Sequence, residues 1–146
     1  MENPALSTPY ESATLLIRLY ELRREPMMRE ARNWFTRSFH PSSVDEVMQT
    51  LSGPNSAHFR MITSYWDMAC SFVLNGAIDE QMFADANGEH VIVFSRIEPF
   101  LEEYRAKMGN ARYLGSLETL VMKLPDAKQR LAALRERFRA MATSTR

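Results

Sequence analysis

Arg60, Ser64, Asp67, Ser71 and Asn75 recur at intervals of three and four residues, the spacing that aligns side chains along one face of an α-helix. A guanidinium, two hydroxyls, a carboxylate and an amide in one line offer donors and acceptors of both signs. That chemistry suits either the capture of a small polar ligand or a buried hydrogen-bond network. Arg60, Ser64, Asp67 and Ser71 are therefore the candidate ligand-binding residues of this chain.

No comparable set points to catalysis. His40, His58 and His90 are far apart, and none has a His or Glu at the spacing that places two metal ligands on one helical face. Each is expected to be a cap or a surface residue. Cys70 is the only cysteine, which excludes an internal disulfide and a cysteine-rich zinc site. Set among Met68, Ala69, Phe72 and Val73 with no base nearby, it reads as a small core residue rather than a nucleophile. The five glycines never form a phosphate-cradling pattern, and no G-x-S-x-G elbow occurs. Glu98, Glu102 and Glu103 form an acidic patch, beside which Arg105 or a base from a terminal helix is expected. The catalytic, metal and cofactor sets are empty, and a non-enzymatic role is favoured.

The polar line needs a helix to hold it, and the residues around it supply one. Phe59, Ile62, Trp66, Ala69 and Val73 form an apolar stripe, and Met61, Tyr65, Met68 and Phe72 form a second beside it. A helix from Ser56 to Asn75 that is apolar on two sides belongs at the centre of a bundle. The stretch FVLNGAIDEQMF then reads as a corner. Gly76 suits a left-handed helix end, Asp79 an N-cap, and Ile78 with Phe83 a hydrophobic staple. Asp79 and Glu80 as a metal pair are disfavoured, because neighbouring side chains on a helix point apart.

Further elements follow from caps and prolines. Thr8, Pro9 and Glu11 open a first helix, and Pro26 opens a second over PMMREARNWFTRSF, with Met27, Ala31, Trp34, Phe35 and Ser38 on one side. Ser43 and Glu46 box a third. HVIVFSRIEPFLEEYRAKM carries a helical stripe of Val93, Ile97, Phe100, Tyr104 and Met108 and a polar one of Ser95, Glu98, Glu102 and Arg105, with Pro99 forcing a kink or restart. GNARYLGSLETLVMKL reads as one more helix. PDAKQRLAALRERFRAM is the last, its seam formed by Leu131, Leu134, Phe138 and Met141. The expected fold is all-α: one compact helical bundle of about six or seven helices over residues 1–146, with 1–7 and 143–146 as flexible ends.

Net charge is zero but unevenly spread. Residues 18–37 hold six Arg and three Glu, a balance of +3; residues 38–103 hold ten acids and two Arg, a balance of −8. Residues 123–146 hold seven bases and two acids, a balance of +5. If the terminal helices pack on the central ones, most of this cancels within the chain. The excess of Arg, 15 against 3 Lys, is read as a GC-rich genome before phosphate recognition. Nucleic acid is a disfavoured partner at a pI near 6.8. SSVDEVMQTLSGPNSAHFRMI has the outline of a helix-turn-helix, but its second helix is too apolar to lie in a groove. No apolar run approaches the roughly 18 residues of a membrane span. The opening MENPALSTPYES lacks the pattern of a secretory signal, so the expected address is the cytoplasm.

The block from Tyr65 to Arg105 resembles an uncharacterised bacterial family of helical domains, the likeness extending over roughly residues 34–120. In that family a corner of glycine, any residue, Ile and Asp leads through a helix to a proline and then an Arg; Gly76, Ile78, Asp79, Pro99 and Arg105 match it. Phe94 stands where the family pattern implies a tryptophan. The resemblance implies an all-α fold and no mechanism. The chain is thus expected to be a protein-interaction or regulatory module, joining a protein partner or a second copy of itself, as a homodimer for example, through the last helix or a methionine-rich surface. The alternatives are a small-ligand sensor or enzyme built on the polar line, and a nucleic-acid-associated regulator using the basic ends.

Overall fold

The computed structural model describes residues 6–144, which contain nine α-helices and no strand. The expected flexible ends fall largely outside these residues. The first four helices are α1 (Pro9–Arg23), α2 (Pro26–Ser38), α3 (Val44–Ser52) and α4 (Ser56–Leu74). They are followed by α5 (Glu80–Ala86), α6 (Glu89–Ile97), α7 (Leu101–Met108), α8 (Gly115–Val121) and α9 (Ala127–Ser144). The all-α bundle is as expected. The count rises because Pro99 does more than kink its helix: with no N–H to donate, it leaves a 3-10 turn, Glu98–Phe100, between α6 and α7.

Local chemistry starts most helices where the sequence indicates. Thr8 and Glu11 exchange the two hydrogen bonds of a capping box, at 3.1 and 3.0 Å. Ser43 accepts from the Glu46 N–H, while the Glu46 carboxylate takes the Ser42 N–H rather than that of Ser43. Asp79 caps α5 by accepting from the Met82 N–H at 2.9 Å. Gly76 has φ +82°, and its carbonyl accepts from the N–H groups of both Leu6 and Ser7. The corner is also a clasp for the start of the chain. Ser12, fully buried, donates or accepts with Ser7 and accepts from the Asp79 N–H.

Helix α4 is central, packing on α2, α3, α5, α6 and α8. All five residues of its first stripe are buried; of the second, Tyr65 is buried, Met61 and Phe72 are half-buried and Met68 is exposed. Tyr65 donates to the Leu19 carbonyl of α1 at 2.6 Å, and burial raises its pKa to about 12. On α2 it is Met28 rather than Met27 that turns inward with Ala31 and Phe35; Met27 is exposed. Ser95, expected on a polar stripe, is fully buried and satisfies its hydroxyl on the Ile92 carbonyl.

The basic flanks do pack on the acidic middle. Arg32 of α2 grips Glu89 with two parallel hydrogen bonds, Arg135 of α9 reaches Glu98, and Lys123 pairs with Glu80. Glu102 pairs with Arg105. Both partners foreseen for the acidic patch are thus present. The α9 seam lies on α6, with Leu131 buried and Leu134 and Phe138 half-buried; only Met141 is left exposed.

Candidate functional site

The polar line of α4 divides. Arg60, Ser64 and Asp67 line a groove of about 940 Å³, while Ser71 and Asn75 lie beyond it and hydrogen-bond each other. The opposite wall comes from Tyr104 and Met108 of α7 and from Asn110, Arg112, Tyr113 and Leu114 of the turn before α8. None of these residues was a candidate in the sequence reading, which placed Tyr104 and Met108 on an apolar stripe and ran a helix through Asn110 to Leu114. Leu114 breaks that helix: it has φ +54° and is 3% exposed, a left-handed conformation that costs a bulky residue of order 1 kcal/mol or more. Gly109, also at positive φ, and Gly115 bracket the turn, and that spacing was the available signal.

Two side chains hold the strained turn. Arg105 donates through Nε and Nη2 to the Tyr113 carbonyl, at 3.0 and 2.7 Å, and through Nη2 to Glu118 at 2.9 Å. Asp67 accepts the Leu117 N–H at 3.0 Å, so a residue of α4 caps α8, whose own N-cap Leu114 has no side-chain acceptor. The Asp67 carboxylate therefore anchors the far wall as well as facing the groove.

The two arginines of the lining carry no such duty. The Arg60 guanidinium has only a 3.4 Å bond to Ser56, and the Arg112 side chain has no partner among the described residues. Both are exposed. The floor is aromatic, with Tyr104 and Tyr113 rings 4.8 Å apart. Burial raises the pKa of both phenols, so they act as hydrogen-bond donors rather than bases. Cys70 is fully buried on another face of α4, and burial pushes its thiol up to about 12. It is a core residue.

The histidines do not gather. His40 is half-buried and bonded to the Arg37 carbonyl, and His58 lies against Trp34, its ring tilted by 44° and 6.0 Å away. His90, expected as a cap or surface residue, is 7% exposed, wedged against Phe83 and Trp66 at 5.0 and 5.8 Å between ring centres. Burial lowers its pKa to about 4, and its Nδ1 has no hydrogen-bond partner. Among the described residues no three His, Cys, Asp or Glu side chains cluster to hold a metal ion, and no helix is long and apolar enough to cross a membrane.

Sequence reasoning also missed Arg96. It is 2% exposed, has no acidic partner among the described residues, and donates to the carbonyls of Phe35, Phe39 and Thr36 at 2.9, 2.7 and 3.3 Å. It closes the C-terminal end of α2, where the carbonyls carry the negative pole of the helix. Burial, with Arg139 nearby, lowers its pKa to about 10.

The described residues thus form an all-helical fold with a broad, arginine-edged groove between α4 and the α7–α8 turn. The chain belongs to the family of domain of unknown function DUF4760, whose pattern matches residues 10–124. That stretch holds the whole groove and extends beyond the 34–120 likeness at both ends. Neither curated proteins nor solved structures gave a match.

Proposed function

We propose that this chain is a non-enzymatic protein-interaction module whose groove between α4 and the α7–α8 turn takes an acidic segment of a protein partner. The observation that carries this reading is the pair Arg60 and Arg112, both exposed and without an acidic partner among the described residues, on the edges of a groove with an aromatic floor. Carboxylates suit the guanidinium forks, and apolar or aromatic side chains suit the tyrosine floor. A volume of about 940 Å³ in an open trough accommodates several residues of an extended segment. Cytoplasmic placement is part of the same proposal.

Self-association through the α9 seam has less support, since that seam lies on α6. Nucleic-acid binding also has less support, since Arg32, Lys123 and Arg135 of the basic flanking segments already pair with acids of the middle segment. The small-ligand alternative has less support, because Asp67 also anchors α8 and Ser71 lies beyond the groove.

The test is fluorescence polarisation with a labelled decapeptide alternating Glu and Phe, against a counterpart alternating Lys and Phe. Preference for the acidic peptide, lost in an Arg60→Glu, Arg112→Glu variant of unchanged fold, supports the reading. Equal binding of both peptides, or none, overturns it.

A further inference from the structure

A second, smaller crevice of about 480 Å³ lies on another side of the molecule, where α5 and α6 meet α9. Its apolar lining comes from Ala84, Val91, Leu124 and Leu134. Two arginines of α9, Arg130 and Arg137, stand at its edge. Seven residues apart, they share one face of the helix, separated by roughly 10 Å along the axis. Ala133 and Leu134 lie between them and also line the crevice, so the α9 wall reads cation, apolar, cation.

The charges here are unbalanced. Neither arginine has an acidic partner among the described residues, and no Asp or Glu lines the crevice. The nearest part of α6 is its first turn, whose N-cap Gly88 offers no side-chain acceptor. The positive pole of that helix adds to the same sign of field. His90 belongs to the wall, more than nine-tenths buried and with an orphaned Nδ1. Asn87 is the other polar lining residue, and its amide is engaged by Arg23 and the Phe83 carbonyl.

We propose that this crevice binds a single-chain amphipathic carboxylate, its apolar body against Val91, Leu124 and Leu134 and its head group on Arg130 or Arg137. The volume lies within the range of small-molecule sites, and an apolar trough with a few convergent polar groups is their usual composition. Guanidinium forks match a carboxylate in geometry as well as charge. The site is independent of the acidic-segment groove, sharing no lining residue with it. Its α9 wall also lies beyond the stretch matched to the family.

The experiment is calorimetric titration of the full chain with decanoate, decanol and decyltrimethylammonium. Wild type is expected to bind decanoate at least ten-fold more tightly than the cation, with decanol between them. The Arg130→Gln, Arg137→Gln double variant, its fold checked by circular dichroism, is expected to lose at least ten-fold in decanoate affinity and little for decanol. Ala133→Phe, which fills the crevice from an exposed position, is expected to weaken all apolar ligands. Equal affinity for the three head groups overturns the proposal, as does wild-type decanoate affinity in the double variant. Binding to phosphatidylglycerol vesicles without binding to free decanoate also overturns it, since the arginines would then be reading a lipid surface.

Discussion

The end of α2 and the α4 groove both contain arginines without the partner an arginine usually finds. At the end of α2, Arg96 is buried and satisfied by three carbonyls, with Phe138 packed 5.0 Å from its guanidinium carbon. At the groove, Arg60 and Arg112 are exposed, and neither guanidinium has an acidic partner among the described residues. The difference teaches that an unpaired charge marks a binding surface only when nothing else in the fold occupies its donors. Arg96 completes a helix; among the described residues Arg60 and Arg112 close no helix end and pair with no acid.

The comparison breaks first at Arg96. Arg96→Met leaves the Phe35 and Phe39 carbonyls buried without a donor, and at about 1–3 kcal/mol for each orphaned group the loss is expected to reach about 3 kcal/mol. Denaturant unfolding should show it as a lower midpoint at unchanged slope. A loss below 1 kcal/mol would put Arg96 in the same category as the groove arginines.

A buried base without partners sharpens the contrast. The interior accepts the Arg96 guanidinium because carbonyls surround it, yet it refuses a second proton on His90, whose Nδ1 has none. The His90 pKa is about 4 in the fold against an ordinary 6.5. Between these values the unfolded chain takes up a proton that the folded chain does not. Stability therefore falls as pH drops from 6.5 to 4, and this group has no effect above 6.5. The full difference corresponds to roughly 3 kcal/mol. His40, less buried and also lowered, adds to the same slope. His90→Phe, which keeps a ring against Trp66 and Phe83, should flatten most of the slope in pH-dependent thermal unfolding.

Smaller effects are expected within the groove. Asp67→Ala removes the cap on α8 and is expected to cost about 1 kcal/mol; Asp67→Asn, which keeps an acceptor oxygen, should recover most of it. A variant that leaves stability intact while abolishing acidic-peptide binding would make Asp67 a ligand residue instead. Arg60→Ala and Arg112→Ala should change stability by less than about 0.5 kcal/mol, as exposed unpaired residues do, while weakening that peptide.

The sequence made the α4 wall of the groove legible and concealed the other. Periodicity finds residues that share a helix, and Arg60, Ser64 and Asp67 do. It cannot find a wall made by a turn whose shape depends on distant groups, here Arg105 on the Tyr113 carbonyl and Asp67 on the Leu117 N–H. In a propensity reading Tyr113 and Leu114 look helical, and only tertiary contacts hold Leu114 at positive φ. The corner at Gly76–Asp79 was legible because its chemistry is local: a left-handed glycine, a cap and a staple. Arg96 was hidden for the opposite reason, since its partners lie about sixty residues earlier in the chain.

The clasp at Gly76 has a consequence for the order in which the chain folds. The Leu6 and Ser7 amides have their acceptor on a residue some seventy positions later, and Ser12 meets Asp79 across a similar separation. Helix α1 has little to dock against until α4 has ended and turned. A Cβ at position 76 would lie 3.1 Å from the Leu6 nitrogen, so Gly76→Ala strains both ends of the clasp together. In native-state hydrogen exchange, the amides of Leu6, Ser7 and Asp79 should then open as one unit, with a shared free energy below that of the α4 core.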